Sequence, residues 1–193
     1  MPEDPPGGSA PSNRAVFVDR DGTLNPDLHY LKDPTLLDLN RGVGDALRLA
    51  RNHGFLIVCV TNQSGIERGF YTAEDVERIH RRLNELLAAH RARVDAFYYC
   101  PHAPERHCAC RKPGTGLFEQ ARREWQIDLA TSAVVGDRAM DIEAGRKLGL
   151  LTVMVRPRGH ELEADTELAE HHLSPDIQAD SFPAAMYRLL ARG

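Results

Sequence analysis

The sequence has no uninterrupted apolar stretch approaching the ~20 residues of a bilayer-spanning helix, so no membrane segment is expected. It has no surplus of one charge either. Its 24 basic and 28 acidic residues leave a formal net charge of -4, which points to neither a nucleic-acid nor a membrane surface. The first residues, MPEDPPGGSAPSN, lack the basic start and apolar centre of an export signal and are read as a disordered tail over residues 1–13. Without that signal the expected location is the reducing cytoplasm, where the 4 cysteines serve as thiols or metal ligands rather than disulfides. No internal repeat and no linker divides the chain. A single domain over residues 14–193, working as a monomer, is expected.

What is present suits such a domain: 193 residues, 42% of them hydrophobic, suffice for a sizeable core. Short apolar runs at 15–18, 55–60, 96–99, 132–135 and 150–155 have the length and β-branched content of buried strands. Between them lie helical patterns. Val43, Ala46, Leu47 and Ala50 share one face, and Thr72 with Asp75 opens a capped helix running towards His90 with Val76, Ile79, Leu83, Leu86 and Leu87 as its stripe. Further helices are expected over about 117–124, 141–148 and 182–190, while 156–170 is charged and without a clear period. Strand and helix in alternation predict an α/β fold, a doubly wound, mainly parallel Rossmann-like sheet with helices on both faces.

The chemistry sits where the strands stop. The first run breaks into Asp19-Arg20-Asp21-Gly22-Thr23, two acids spaced so that their side chains share a side if strand geometry persists. Such a pair is costly without a cation. The second run ends in Thr61-Asn62-Gln63-Ser64-Gly65, and the fourth in Gly136-Asp137 with Asp141 close behind. In a parallel sheet these ends meet on one edge. A third carboxylate joining the first two makes a hard oxygen site of the kind Mg²⁺ prefers. Arg111 and Lys112 add positive charge, and the sum is a site for a phosphoryl group.

A separate constellation lies in the loop at 100–113. Cys100, His102, Cys108 and Cys110 form a Cys₃His set, typical of closed structural Zn²⁺ sites. His107 is the competing imidazole, beside a cysteine that already offers a thiolate, and Cys59 lies in an apolar strand as a small core residue.

DRDGT (19–23), TNQ (61–63), Lys112 and GDRAMD (136–141) resemble, in order, the signatures of the haloacid dehalogenase superfamily of phosphatases. TNQSGIERG (61–69), YYCPH (98–102) and CACRKP (108–113) are similar to its zinc-containing branch, whose members act on heptose 1,7-bisphosphate and on histidinol phosphate. The resemblance implies that Asp19 is a nucleophile, that Asp21 is an acid and base, and that Thr61 and Lys112 steady the phosphoryl oxygens. It implies Mg²⁺ on Asp19, Asp137 and, through its backbone carbonyl, Asp21. It places substrate contacts at Asp27, Leu28, His29 and Tyr30, at Thr61, Asn62, Gln63 and Ser64, and at Arg111, Lys112 and Arg138. No large insertion separates these signatures, so no room is expected for a large cap domain. The expected substrate is a small sugar phosphate, a heptose bisphosphate losing its 7-phosphate. Histidinol phosphate or another small phosphate ester stays open as the alternative, and a non-catalytic zinc-stabilised module as the reading of another class.

Overall fold

The computed structural model describes residues 12–156 and 161–192. Among them, β1 (Arg14–Val18), β2 (Phe55–Asn62), β3 (Ala96–Cys100), β4 (Ala133–Gly136), β5 (Leu151–Val155) and β6 (Ile177–Ala179) form one sheet in the order β3-β2-β1-β4-β5-β6. Every neighbouring pair runs parallel. The helices that alternate with them are α1 (Val43–Asn52), α2 (Ala73–Ala88), α3 (Gly116–Trp125), α4 (Ala139–Lys147), α5 (Glu161–Glu170) and α6 (Phe182–Leu190).

The central strand explains the two layers. Val16 and Val18 of β1 pack with residues of α1, α2 and α6, whereas Ala15 and Phe17 pack with residues of α3 and α4. A strand buried on both faces has no polar side, which is why β1 is a continuous apolar run rather than an alternating one. The cap expected at Thr72 is present. The Thr72 hydroxyl oxygen accepts from Asp75 N at 3.2 Å, and Asp75 Oδ2 accepts from Thr72 N at 2.8 Å. Among the described residues no helix is long and apolar enough to cross a membrane, and no large cap interrupts the alternation.

Several boundaries differ from the sequence expectation. β2 continues through Thr61 to Asn62, which pairs in register with Cys100, so the TN of TNQ lies in the strand and not in the turn. α4 begins at Ala139 rather than near residue 141. The undecided segment 156–170 contains α5, whose buried apolar side chains are Ala164 and Leu168, packed with Ile142 of α4 and Met154 of β5. A helix with so few apolar positions gives little periodic signal. The three-residue edge strand β6 was not expected at all. The tail expected over 1–13 lies outside the described residues up to residue 11. Asn13, however, is fastened: it bridges Ile127, and its Nδ2 donates to Trp125 O at 2.8 Å.

β2 and β3 extend the sheet on one side of β1, and β4, β5 and β6 on the other. That reversal beside β1 opens a crevice at the carboxyl ends of β1 and β4, the place where doubly wound sheets bind ligands. Asp19 and Asp137 each follow directly on one of those two strands.

Candidate active site

Two glycines let the acids approach. Gly22 sits at φ 84°, in the left-handed region, and a Cβ there would overlap the Asp137 carboxylate. A Cβ on Gly136 would overlap Asp141 in the same way. The glycines of DRDGT and GDRAMD are thus the space that the neighbouring carboxylates fill.

Asp19, Asp137 and Asp141 each bring a carboxylate oxygen to within 4.8 Å of the others. Lys112, delivered from the far end of the cysteine loop and almost wholly buried, holds the group together. Its Nζ lies 2.7 Å from Asp19 Oδ1 and 2.6 Å from Asp141 Oδ1, and donates to Val60 O at 2.7 Å. Asp141 was quoted within GDRAMD but given no role from sequence. Its place four residues after Asp137, in the first turn of α4, was the available signal.

The electrostatics follow from the burial. Burial pushes the Asp19 carboxyl up, Lys112 opposes it and Asp141 adds to it, leaving a pKa of about 6 in place of 3.8. Asp137 is raised well above the usual carboxylate range by burial and by Asp19 and Asp141, though Thr23 Oγ1 donates to its Oδ1 at 2.9 Å. Burial pulls Lys112 down, but Asp141 and Asp19 outweigh it, so it stays charged. An excess of buried acid around one ammonium fits a divalent cation with oxygen ligands. The Asp21 side chain stands apart from this group. It is 24% exposed, and Arg20, Asn25 and Gln63 all donate to its carboxylate. Burial pulls Asp21 up, but the Arg20 guanidinium together with the hydrogen bonds from Asn25 and Gln63 outweighs it, leaving Asp21 below its ordinary value.

The expected substrate contacts divide. Thr61 is buried beside Lys112's anchor, with its Oγ1 accepting from Gln63 Nε2 at 2.9 Å. Asn62 is turned onto the Lys112 backbone, accepting from its N at 3.0 Å and donating to its O at 3.2 Å. Ser64 is half-buried. Arg111 donates to His102 O at 3.2 Å, tying it to the cysteine loop. Asp27 and His29 line a cavity of about 1040 Å³ that also borders Asp137 and Arg138. That cavity flanks the acid cluster on the α5 side and does not cover Asp19 or Lys112. Leu28 is exposed, and Tyr30 leans on Phe70 with ring centroids 4.5 Å apart. Arg138 is paired with Glu167 of α5, which also accepts from Ala139 N at 3.1 Å.

Across the crevice, Cys100, His102, Cys108 and Cys110 converge, all ligand atoms lying within 4.8 Å of one another. The Sγ–Sγ separations are 3.1, 3.3 and 3.5 Å, and His102 Nδ1 is 3.3 Å from Cys110 Sγ and 3.7 Å from Cys100 Sγ. A tetrahedral Zn²⁺ with Zn–S bonds of about 2.3 Å needs S–S edges of about 3.8 Å, so this set would open by about half an ångström to hold it. Burial would raise Cys108, but donation from Cys110 and Cys100 brings it down to about 6, so one thiolate is available at neutral pH. His107 is outside the cluster.

A parallel sheet with acid-tipped strands at its switch point, a buried lysine between them and no inserted cap defines a haloacid dehalogenase-like protein. Comparison with known proteins agrees. A family model described as HAD-hydrolase-like matches residues 109–185. A D-glycero-D-manno-heptose-1,7-bisphosphate 7-phosphatase of Chlorobaculum tepidum is 38% identical over 188 residues, covering 91% of this chain and 93% of its own. A D-glycero-beta-D-manno-heptose-1,7-bisphosphate 7-phosphatase of Helicobacter pylori is 41% identical over 135 residues, 69% of this chain and 78% of that one. The crystal structure of D,D-heptose 1,7-bisphosphate phosphatase from B. bronchiseptica, complexed with magnesium and phosphate, matches with a TM-score of 0.82 at 30% identity, over 93% of this chain and 99% of that one. The chain belongs to the haloacid dehalogenase-like hydrolases, and within them its similarity runs to the heptose bisphosphate phosphatases.

Proposed function

We propose that this protein is a Mg²⁺-dependent phosphatase that removes the 7-phosphate of D-glycero-D-manno-heptose 1,7-bisphosphate through an aspartyl-phosphate. The observation that carries the chemistry is the placement of Asp19 at the switch point, with Lys112 on its Oδ1 and two further carboxylates in reach. The substrate rests on the near full-length relatives that bear that name.

Asp19 attacks phosphorus, and the sugar oxygen departs with a proton from Asp21. Water then gives its proton to Asp21 and attacks phosphorus, freeing Asp19. An anionic resting Asp21 takes up a proton as the charge of an arriving phosphate raises its pKa, gives that proton to the departing oxygen, and is then the anion that accepts from water. In this reading Lys112, exchanging one of its present partners, and the Thr61 hydroxyl donate to the phosphoryl oxygens. Asp19, Asp137 and the Asp21 carbonyl would hold Mg²⁺, which supplies charge neutralisation for the transferring group. Asp141 acts by fixing Lys112. Cys100, His102, Cys108 and Cys110 would hold a structural Zn²⁺, organising the loop that carries Arg111 and Lys112. Asp27, His29, Arg111 and Arg138 border the space left for the rest of the sugar phosphate. The reading includes a single domain over 14–193, a monomer working in the cytoplasm without nucleic-acid or membrane partners. Near-balanced charge and unpaired cysteines support it.

The test is phosphate release from heptose 1,7-bisphosphate in both anomeric forms, fructose 1,6-bisphosphate and histidinol phosphate. A heptose bisphosphate should give the highest kcat/KM. Preference for histidinol phosphate would overturn the substrate, and turnover of none would favour a binding module.

A further inference from the structure

Arg20, between the two acids of DRDGT, is the largest of the fully buried side chains, only 1% exposed. Arginine is almost never that buried without a partner. Its guanidinium forks onto the neighbouring Asp21, Nη2 at 2.8 Å from Oδ2 and Nε at 3.2 Å from Oδ1. Its remaining terminal nitrogen, Nη1, lies 3.4 Å from Nε2 of His80 on α2. His80 is itself buried, and its ring lies flat on Phe97 with centroids 4.2 Å apart. For His80 to accept from Arg20, its proton must sit on Nδ1, and that buried atom has no hydrogen-bond partner. A histidine serving only to fill the core would not need that orphan donor.

We infer that Arg20 is a positioning residue for the Asp21 carboxylate and that His80 holds Arg20 in place, which rests on the phosphatase reading above. Four donors occupy the Asp21 oxygens: Arg20 twice, Asn25 Nδ2 on Oδ1 at 3.0 Å and Gln63 Nε2 on Oδ2 at 2.9 Å. They differ in what they can release. The same Gln63 Nε2 also reaches Thr61 Oγ1 at 2.9 Å, and its Oε1 is held by Tyr71 OH at 2.7 Å. Gln63 can therefore give up Asp21 without losing its place. Arg20 cannot, because Asp21 is the acceptor that its rigid fork fits bidentately. The Arg20 fork sets the carboxylate's direction, and the Gln63 bond is the one that yields when Asp21 carries a proton.

The test separates the two chemical steps. Arg20→Lys and Arg20→Met are compared with wild type on heptose 1,7-bisphosphate and on p-nitrophenyl phosphate, whose leaving group departs as a stable anion and needs no acid. On the sugar phosphate, kcat should fall ~10–100-fold for Arg20→Met and less for Arg20→Lys, with KM within about twofold. On p-nitrophenyl phosphate the first turnover should persist as a burst of about one equivalent of p-nitrophenol, followed by slow turnover, because hydrolysis of the aspartyl-phosphate still needs the base. His80→Leu, which removes the acceptor behind Arg20 along with the stack on Phe97, should give the same pattern with a smaller fall, and carries the test if Arg20→Met does not fold. Full kcat in these variants overturns the inference, and so does equal loss of burst and turnover. A wild type that hydrolyses neither ester overturns the phosphatase reading, and this inference with it. That outcome is distinct from an active wild type beside a fully active Arg20→Met.

Discussion

Replacing the proposed nucleophile by its neutral isostere should make the protein more stable. Asp19 has a pKa of about 6 in the folded protein against 3.8 ordinarily, and that value already includes the attraction of Lys112. At about 1.36 kcal/mol for each decade, holding the group ionised costs the fold about 3 kcal/mol at pH 7. Below pH 3.8 both folded and unfolded chains carry the proton and the cost is absent. It builds as pH rises towards 6, and is complete above that. Asp19→Asn removes the charge and keeps an oxygen for Lys112, which retains Asp141 and Val60 O. In magnesium-free buffer at pH 7, with no chelator that would strip the cysteine loop, Asp19→Asn should melt roughly 6–12 °C above wild type. The gap should shrink as pH falls from 6 to 4. Added Mg²⁺ should close it by stabilising the wild type, which keeps all three carboxylates. Thermal melts followed by circular dichroism across that pH series read the effect. An Asp19→Asn variant no more stable than wild type at pH 7 would refute the claim that the acid cluster is strained without a cation.

Other outcomes follow from the same contacts. Lys112→Met leaves Asp19 and Asp141 without their shared ammonium, so urea titration without magnesium should show a loss of about 3–5 kcal/mol. Gly22→Ala drives a methyl into Asp137 from a left-handed backbone. Its kcat for a sugar phosphate should fall at least ~100-fold, since small displacements at such a centre cost that much. Metal analysis should find about one zinc per chain, and Cys108→Ser should lower both the zinc content and the melting temperature.

The sheet was legible because a parallel strand buried on both faces is an uninterrupted apolar run, and 55–60 and 150–155 could be little else. The convergence of Asp19, Thr61, Lys112 and Asp137 was legible for a related reason. Each stands directly after or within a strand end, or in a loop led by one, and a parallel sheet puts such ends together. The Cys₃His loop was plain from spacing alone. Arg20 was invisible because a lone arginine between two acids is ordinarily solvated, and only the packing of α2 brings His80 to it. Asp141 lay within a quoted motif, but its role depends on Lys112 arriving from a stretch 29 positions earlier. α5 and β6 escaped because a helix burying Ala164 and Leu168, or an edge strand of 3 residues, leaves no period to find. The Arg138–Glu167 pair was hidden with them.

The most direct test of the account is ³¹P NMR of heptose 1,7-bisphosphate with Mg²⁺ and either wild type or Asp19→Asn. Wild type should release inorganic phosphate while the 7-phosphate resonance disappears and the 1-phosphate resonance persists, and Asp19→Asn should release none. Loss of the 1-phosphate, or continued turnover by Asp19→Asn, would contradict it.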